Sequence, residues 1–201
     1  MRIPLFPLDV VLFPGEPLPL HIFEERYKEM IDFCLTGQSA FGVVRAQRDG
    51  LAVIGCTARV LRVLHRYDDG RMDILCRGER RFEIELLESG RAYLEAQVDF
   101  FDDEEDTASR SQKEECLSLH FETMELAGFA GTEMPTNLDG PISFILASGL
   151  PADLGFKQQL LNSRSDAKRT EYLLEFYHAI LPKLRAGAAG KKAASHNGHV
   201  M

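Results

Sequence analysis

Length, composition and charge exclude several classes of protein. The chain has 201 residues, of which 45% are hydrophobic and 27% charged, a composition typical of a globular protein and not of a disordered one. Its 31 acidic and 23 basic residues leave a net charge of -8, which disfavours generic binding to nucleic acid or anionic membranes. Prolines and charges interrupt the apolar opening, residues 1–23, so it predicts neither a signal peptide nor a spanning helix. We therefore expect a cytoplasmic protein without a membrane partner.

The first half of the chain, residues 1–101, has the pattern of short β-strands. Apolar and polar residues alternate in 81–86 and 92–98, which is the period of a strand with one buried face. The tripeptides Asp-Asp-Gly at 68–70 and Glu-Ser-Gly at 88–90 predict hairpin turns between strands. One helix is expected from about Phe23 to Leu35, where apolar residues recur at helical spacing. These patterns predict an antiparallel β barrel, closed or nearly closed, with one helix.

An acidic segment separates this half from a helical one. Six of the eight residues in 99–106 are acidic, and such self-repulsion predicts a solvated linker at 102–107 that places negative charge before the next helix. An alternative is that this segment docks a basic partner. Residues 108–186 follow a period of 3.6 and predict a helical bundle, whereas the small, polar residues 187–201 predict a disordered tail. The predicted fold class is α+β.

Two apolar stripes define the expected core of the helical half. The first helix has Leu117, Phe121 and Met124 on one face, and we expect that face to be buried. The last long helix is expected to bury a stripe at the same spacing, formed by Leu173, Tyr177, Ile180 and Leu184. A shorter helix between them is predicted to begin at Asp139, whose carboxylate is a suitable N-cap.

Motifs for common enzyme chemistry do not occur in the sequence. It contains no Gly-rich phosphate loop followed by Lys-Ser or Lys-Thr, no Gly-x-Ser-x-Gly and no His-Glu-x-x-His. His196 and His199 have a ligand-like spacing, but a metal site needs three or four fixed ligands. We therefore predict no catalytic residues, no metal and no cofactor. We expect four reduced, structural thiols, because the spacing of the cysteines suits neither zinc nor a disulfide framework: Cys34, Cys56, Cys76 and Cys116.

Seven arginines between residues 59 and 81 leave two interpretations open. On neighbouring strands they could form a patch that binds RNA phosphates. Alternatively, they pair across strands with glutamates. The candidate glutamates are Glu79, Glu83, Glu85 and Glu95.

Four apolar side chains outside the regular patterns are the candidate binding residues. They lie at the boundary of the two halves and in a loop of the helical half: Phe100, Phe101, Phe129 and Met134. Clefts lined by aromatic residues and methionine suit adaptable binding. The alternative is that these side chains only seal the contact between the two halves.

The opening residues carry a long and specific motif. It comprises Ile-Pro-Leu-Phe-Pro-Leu at 3–8, Val-Leu-Phe-Pro-Gly at 11–15 and Leu-Pro-Leu-His-Ile-Phe-Glu-Glu-Arg-Tyr at 18–27, with Gly-Glu-Arg-Arg-Phe following at 78–82. With these residues the chain resembles the N-terminal LON domain of Lon proteases, the peptidase S16 family, over about residues 2–185.

The resemblance implies a fold and a function. The fold would be a PUA-like pseudo-barrel followed by a helical bundle. In Lon proteases this domain helps to recognise unfolded substrates, while an ATPase module and a Ser-Lys peptidase perform the chemistry, and we expect neither in this chain. The resemblance therefore implies a non-catalytic domain whose partners are polypeptide substrates or a separate protease. An RNA-binding module and a small hydrolase or peptidase are the alternatives.

The motif residues are expected to determine the fold and not to bind a ligand. Prolines and glycine would fix turns and edge strands, aromatic residues would fill the barrel core, and two arginines would each anchor a carboxylate or backbone carbonyls. The set is Pro7, Phe13, Pro14, Gly15, Phe23, Glu24, Arg26, Tyr27, Arg81 and Phe82.

Overall fold

The computed structural model describes residues 1–129 and 138–196. The chain divides into two compact units, and the first combines residues 1–102 with 152–164. Its elements are β1 (Arg2–Leu8), β2 (Pro17–Ile22), α1 (Glu25–Gly37), β3 (Phe41–Gln47), β4 (Gly50–Leu51), β5 (Ile54–Arg66), β6 (Met72–Glu88), β7 (Leu94–Phe100) and α4 (Leu154–Asn162). The second unit contains α2 (Arg110–Ala127), α3 (Ser143–Ser148) and α5 (Asp166–His196). The α+β prediction is confirmed.

The sheet of the first unit closes on itself because β1 pairs along both of its edges. It is antiparallel to β7 and parallel to β3, so the strands form a ring in the order β1, β7, β6, β5, β3. Strand β2 is attached to β6, and β4 to β3. One parallel pair is thus present in the barrel that was predicted to be antiparallel. Parallel neighbours need a long connection, and the segment with β2 and α1 supplies it.

Two glycines make room for the ring of Phe82 in the barrel core. Phe82 is fully buried in a cluster of apolar side chains from β1, β3 and β7. A Cβ atom on Gly42 or on Gly55 would lie 2.6 Å from this ring. The small residues on β3 and β5 therefore let the Phe82 ring cross the barrel.

The Pro-Gly turn of the opening motif is held against β6. The Gly15 amide donates to the Gly78 carbonyl at 2.8 Å, and the Gly78 amide donates to the Glu16 carbonyl at 2.9 Å. The Glu16 carboxylate accepts from the Phe13 amide at 2.8 Å, and burial raises the pKa of this carboxyl group. Phe13 itself is fully buried. These bonds hold the turn of the opening motif against β6.

The prediction that the aromatic residues of the motif fill the barrel core is wrong for Phe23. It is 60% exposed and stacks on His21 with 6.0 Å between the ring centroids. Helix α1 begins at Glu25, so Phe23 precedes the helix and does not share its buried face. Tyr27, inside the first turn, is buried against Phe6 with ring centroids 4.1 Å apart. Arg26 pairs at the surface with Glu24 at 2.7 Å.

Arg81 attaches α4 to the barrel. Its buried guanidinium donates to the carbonyl oxygens of Leu161, at 3.0 Å, and Ser163, both at the C-terminal end of α4. That end carries partial negative charge, which favours a cation. Gln158 adds a bond from its side-chain amide to the Ile54 carbonyl at 3.0 Å. The predicted boundaries therefore need correction, since α4 belongs with the barrel and not with the helices of 108–186.

The buried face of α2 differs from the predicted stripe. Phe121 is 51% exposed, and the buried residues are Lys113, Cys116, His120, Thr123 and Met124. Polar side chains can be buried on this face because other residues supply hydrogen-bond partners for them. Lys113 donates to the carbonyls of Leu138 and Gly140, and Nδ1 of His120 lies 2.8 Å from the Tyr177 hydroxyl.

The other helices depart from the predictions in smaller ways. On α5 the buried apolar side chains are Leu173, Tyr177 and Leu181, whereas Ile180 and Leu184 are half-buried. Helix α3 begins at Ser143 and has no side-chain cap, so the predicted Asp139 cap is wrong.

Helix α5 and the acidic segment also differ from the expected linker and tail. Helix α5 continues to His196, so 187–196 is helical, and residues 197–201 lie outside the described residues. Within the segment, Asp106 accepts a hydrogen bond from the Asp166 amide at 3.1 Å, and Asp103 pairs with Arg169. The predicted linker is therefore partly bound within the second unit.

The buried His120 predicts a pH dependence of stability. Burial lowers the pKa of His120 below its ordinary value of 6.5, so below pH 6.5 the unfolded chain binds a proton that the folded chain does not. Stability is then complete above pH 6.5 and falls as the pH approaches the folded-state pKa. Urea denaturation at several pH values should show a weaker acid dependence for His120→Gln. An unchanged dependence would contradict the assignment.

Candidate functional site

A groove of about 570 Å³ lies on the first unit where the start of β1, the end of α1 and the end of β7 meet. Three apolar side chains in its lining are accessible: Met1 is 77% exposed, Phe33 is 43% exposed and Phe100 is half-buried. The groove also includes the backbone and side chains of residues 37–40 after α1. Concave apolar surfaces of this size are suited to holding a ligand side chain.

The end of α1 presents Phe33 to the groove. Buried residues of α1 fall on one face, formed by Tyr27, Met30, Ile31 and Cys34, so Phe33 is directed away from the core. The helix is capped by Gln38, which has a left-handed φ of 49° and whose amide donates to carbonyls of the last turn. The Arg91 guanidinium lies 4.8 Å from the centre of the Phe33 ring. Phe33 is thus exposed but held in place.

Two arginines form a fixed polar rim on the groove. Arg59 donates to the Glu79 carboxylate and to the Gln38 carbonyl, each at 2.6 Å. Arg80 lies over the Phe100 ring at 4.7 Å and pairs with Asp102 at 3.6 Å. The Arg59–Glu79 pair is one of the cross-strand pairs expected from the sequence. Because both guanidinium groups already have partners, the groove is better suited to apolar groups than to a free phosphate.

The structure describes three of the four predicted binding residues, two in the first unit and one in the second. Phe100 lines the groove, but Phe101 is only 7% exposed and is covered by the guanidinium groups of Arg81 and Arg164 at 4.6 and 4.3 Å. Phe129 is 52% exposed on the second unit. Met134 lies outside the described residues.

Sequence reasoning missed Phe33 although the sequence held a signal for it. The apolar stripe of α1 recurs at 27, 30, 31 and 34, and position 33 falls outside that stripe. A large aromatic residue off the buried face of a short helix indicates an exposed contact. Met1 and Arg59 had no comparable signal, because they reach the groove through the closure of the barrel.

The described residues offer neither a cluster of metal ligands nor a thiol of lowered pKa. In 1–129 and 138–196, no three His, Cys, Asp or Glu side chains are placed to hold a metal ion. The four cysteines are free and buried, and burial raises the pKa of Cys56, Cys76 and Cys116 to about 12. Such thiols are poor nucleophiles at neutral pH. None of the helices in the same ranges is long and apolar enough to cross a membrane.

The family described as the ATP-dependent protease La (LON) substrate-binding domain matches residues 2–178 of this chain. The chain belongs to this family. The family is a substrate-binding domain and is not itself a catalytic domain.

Two Lon proteases that are longer than this chain are relatives of this LON domain. The Lon protease of Amoebophilus asiaticus is 26% identical over 199 residues, covering 90% of this chain and 24% of that protein. The Lon protease of Paraburkholderia phytofirmans is 29% identical over 195 residues, with 88% and 24% covered. The chain thus spans about a quarter of the length of these relatives.

Solved structures show the same fold. The Lon N-terminal domain protein from Xanthomonas campestris superposes with a TM-score of 0.71 at 27% identity, covering 87% of this chain and 98% of that one. The N-terminal domain of the Mycobacterium avium complex Lon protease gives 0.65 at 19% identity, with 89% and 98% covered.

Proposed function

We propose that this LON domain binds exposed apolar segments of unfolded polypeptides in the groove of its first unit and performs no chemistry. The observation that carries the proposal is the exposed Phe33 ring beside the half-buried Phe100 ring, in a concave surface that also contains Met1. Aromatic side chains and methionine offer large, adaptable contact area for segments of varied sequence. Family membership supports substrate binding as the general activity.

The biological role that fits such binding is that of a holdase or of an adaptor for a separate protease. Either role needs a surface that accepts many segments and releases them. A half-open groove with few exposed rings supports affinities in the micromolar range, about 8 kcal/mol of binding free energy. The place of action that we propose is the cytoplasm, where the four buried thiols stay reduced.

Titration with a fluorescently labelled, reduced and unfolded polypeptide tests the proposal. We expect Phe33→Asp to weaken binding about tenfold, because a carboxylate replaces an apolar contact in the groove. Phe121→Asp is the matched control, since that phenylalanine is similarly exposed but lies on α2 of the second unit. Equal loss in both variants, or no binding by the unchanged protein at tens of micromolar, would contradict the proposal.

The same preparation distinguishes the rival functions. Cleavage of casein, with or without ATP, would identify a peptidase. Retention on RNA that weakens steeply with salt would identify an RNA-binding module.

A further inference from the structure

One stretch of the barrel sheet has a strand neighbour on one side only. Strand β5 pairs with β6 from Ile54 to Arg66, but β3 covers its other side only at Cys56–Ala58. Within the described residues, Arg59–Arg66 has no strand on that other side. We call this stretch the basic edge. A strand edge of this kind presents unpaired backbone groups to an added strand.

Exposed apolar side chains are concentrated on the basic edge. Leu61 is 51% exposed, Val63 38% and Leu64 52%. Register shifts interrupt the pairing with β6 beside Leu61 and Leu64, and such irregularities limit an added strand to a few consecutive bonds. The edge therefore suits a short, reversible contact with apolar character.

Strand β2, which pairs with the other side of β6, has a protected edge, and the basic edge does not share this protection. Strand β2 pairs with β6 on one side and carries Pro17 and Pro19. Proline has no amide hydrogen, so its presence blunts an edge. The basic edge contains no proline.

The charge of the edge restricts its partner. Strand β5 contains Arg59, Arg62, His65 and Arg66 and no acidic residue, although the whole chain has a net charge of -8. Arg59 and Arg66 pair with Glu79 and Asp32, whereas Arg62 makes no ion pair with a carboxylate of the described residues. Two copies pairing edge to edge would oppose like charges, which is unfavourable. An acidic segment would complement them.

We propose that the basic edge accepts an extended polypeptide segment, rich in alternating apolar and acidic residues, by addition as a strand to β5. Backbone bonds would supply affinity, and Arg62, which makes no ion pair with a carboxylate of the described residues, would select acidic side chains. The inference rests on the proposed function and deepens it, because Arg59 belongs both to the groove and to the basic edge. A segment whose apolar end occupies the groove continues along β5.

The test uses a labelled ten-residue peptide of alternating valine and glutamate, and a matched peptide with lysine in place of glutamate. We expect the glutamate peptide to bind about tenfold more tightly. Two further versions carry N-methyl groups on one or the other set of alternate residues. Because alternate amides of a strand point to opposite sides, methylation of one set should weaken binding at least about tenfold and methylation of the other should not.

Protein variants locate the binding. The double variant Leu61→Asp with Leu64→Asp should lose the glutamate peptide, whereas Leu86→Asp with Leu87→Asp should retain it. Leu86 and Leu87 are the matched control because they are similarly exposed but lie near the other end of β6. Circular dichroism would verify that both variants are folded.

Several outcomes overturn the inference. Equal effects of the two methylations, tighter binding of the lysine peptide, or equal loss in both double variants would each do so. A concentration-dependent dimer that only Leu61→Asp with Leu64→Asp abolishes would identify a second copy as the occupant instead. If the peptide test fails but unfolded polypeptide still binds in a Phe33-dependent way, the proposed function is retained and only this inference is rejected. Peptide binding at the edge without any binding of unfolded polypeptide rejects the proposed function alone.

Discussion

Replacing Arg169 by alanine is expected to lower the free energy of unfolding by about 3–5 kcal/mol. Arg169 is fully buried, and its guanidinium donates to the Asp103 carboxylate at 2.8 and 2.5 Å and to the Ser143 hydroxyl at 2.8 Å. It also lies 3.6 Å from the carboxylate of Asp166, which is itself buried. Alanine would leave carboxylates without their cation, and an uncompensated buried charge is strongly destabilising.

Urea denaturation followed by the helical circular dichroism signal measures this loss. Arg169→Lys should recover part of it, because lysine keeps the charge but cannot reproduce the planar fork. Arg110→Ala is the control, since its pair with Glu114 is exposed and such pairs contribute about 0.5 kcal/mol or less. A loss below about 1 kcal/mol for Arg169→Ala would show that solvent or other groups replace the arginine.

Gly78→Ala is expected to destabilise the barrel by about 3 kcal/mol. A Cβ atom at this position would lie 2.1 Å from the Phe13 carbonyl oxygen. The loop that contains Phe13 cannot move away without losing hydrogen bonds, because the bonds between Gly78 and residues 15 and 16 hold it against β6. The change therefore sets a methyl group against the turn of the opening motif.

The midpoint of urea denaturation, followed by the circular dichroism of the β-strands, checks this expectation. Gly90→Ala serves as the control, because the nearest atom to its added Cβ would be the Arg2 Nη2 at 3.7 Å, an ordinary contact. We expect the control to change stability by less than about 0.5 kcal/mol. Similar values for the two variants would mean that the turn adapts to the methyl group.

Local patterns in the sequence predicted the elements well where one face alone decides the structure. The alternation at 81–86 lies in β6, residues 94–98 of the second alternating stretch lie in β7, and the Asp-Asp-Gly turn joins β5 to β6. The stripe of α2 was predicted wrongly at Phe121 because apolarity was taken as the guide to burial. Lys113 and His120 are buried instead, since other segments supply their hydrogen-bond partners, and the sequence alone does not reveal such partners.

The candidate site was predicted only in part for the same reason. Phe100 could be singled out as an aromatic residue at the end of the strand region, and it lines the groove. Phe101, next to it in sequence, is covered by Arg81 of β6 and by Arg164, which follows α4. Strand alternation separates such neighbours to opposite faces, but only the closed barrel decides which face meets the groove.

The sequence by itself determined the family, the α+β class and the change from strands to helices, because motif, composition and period are local properties of the chain. Tertiary structure decided the parallel pairing that closes the barrel, the attachment of α4 through Arg81, and the exposure of the basic edge. Each of these depends on which distant segments meet. The role of a backbone edge or of a buried cation depends on which segment lies beside it. The periodicity of the sequence does not indicate which segment that is.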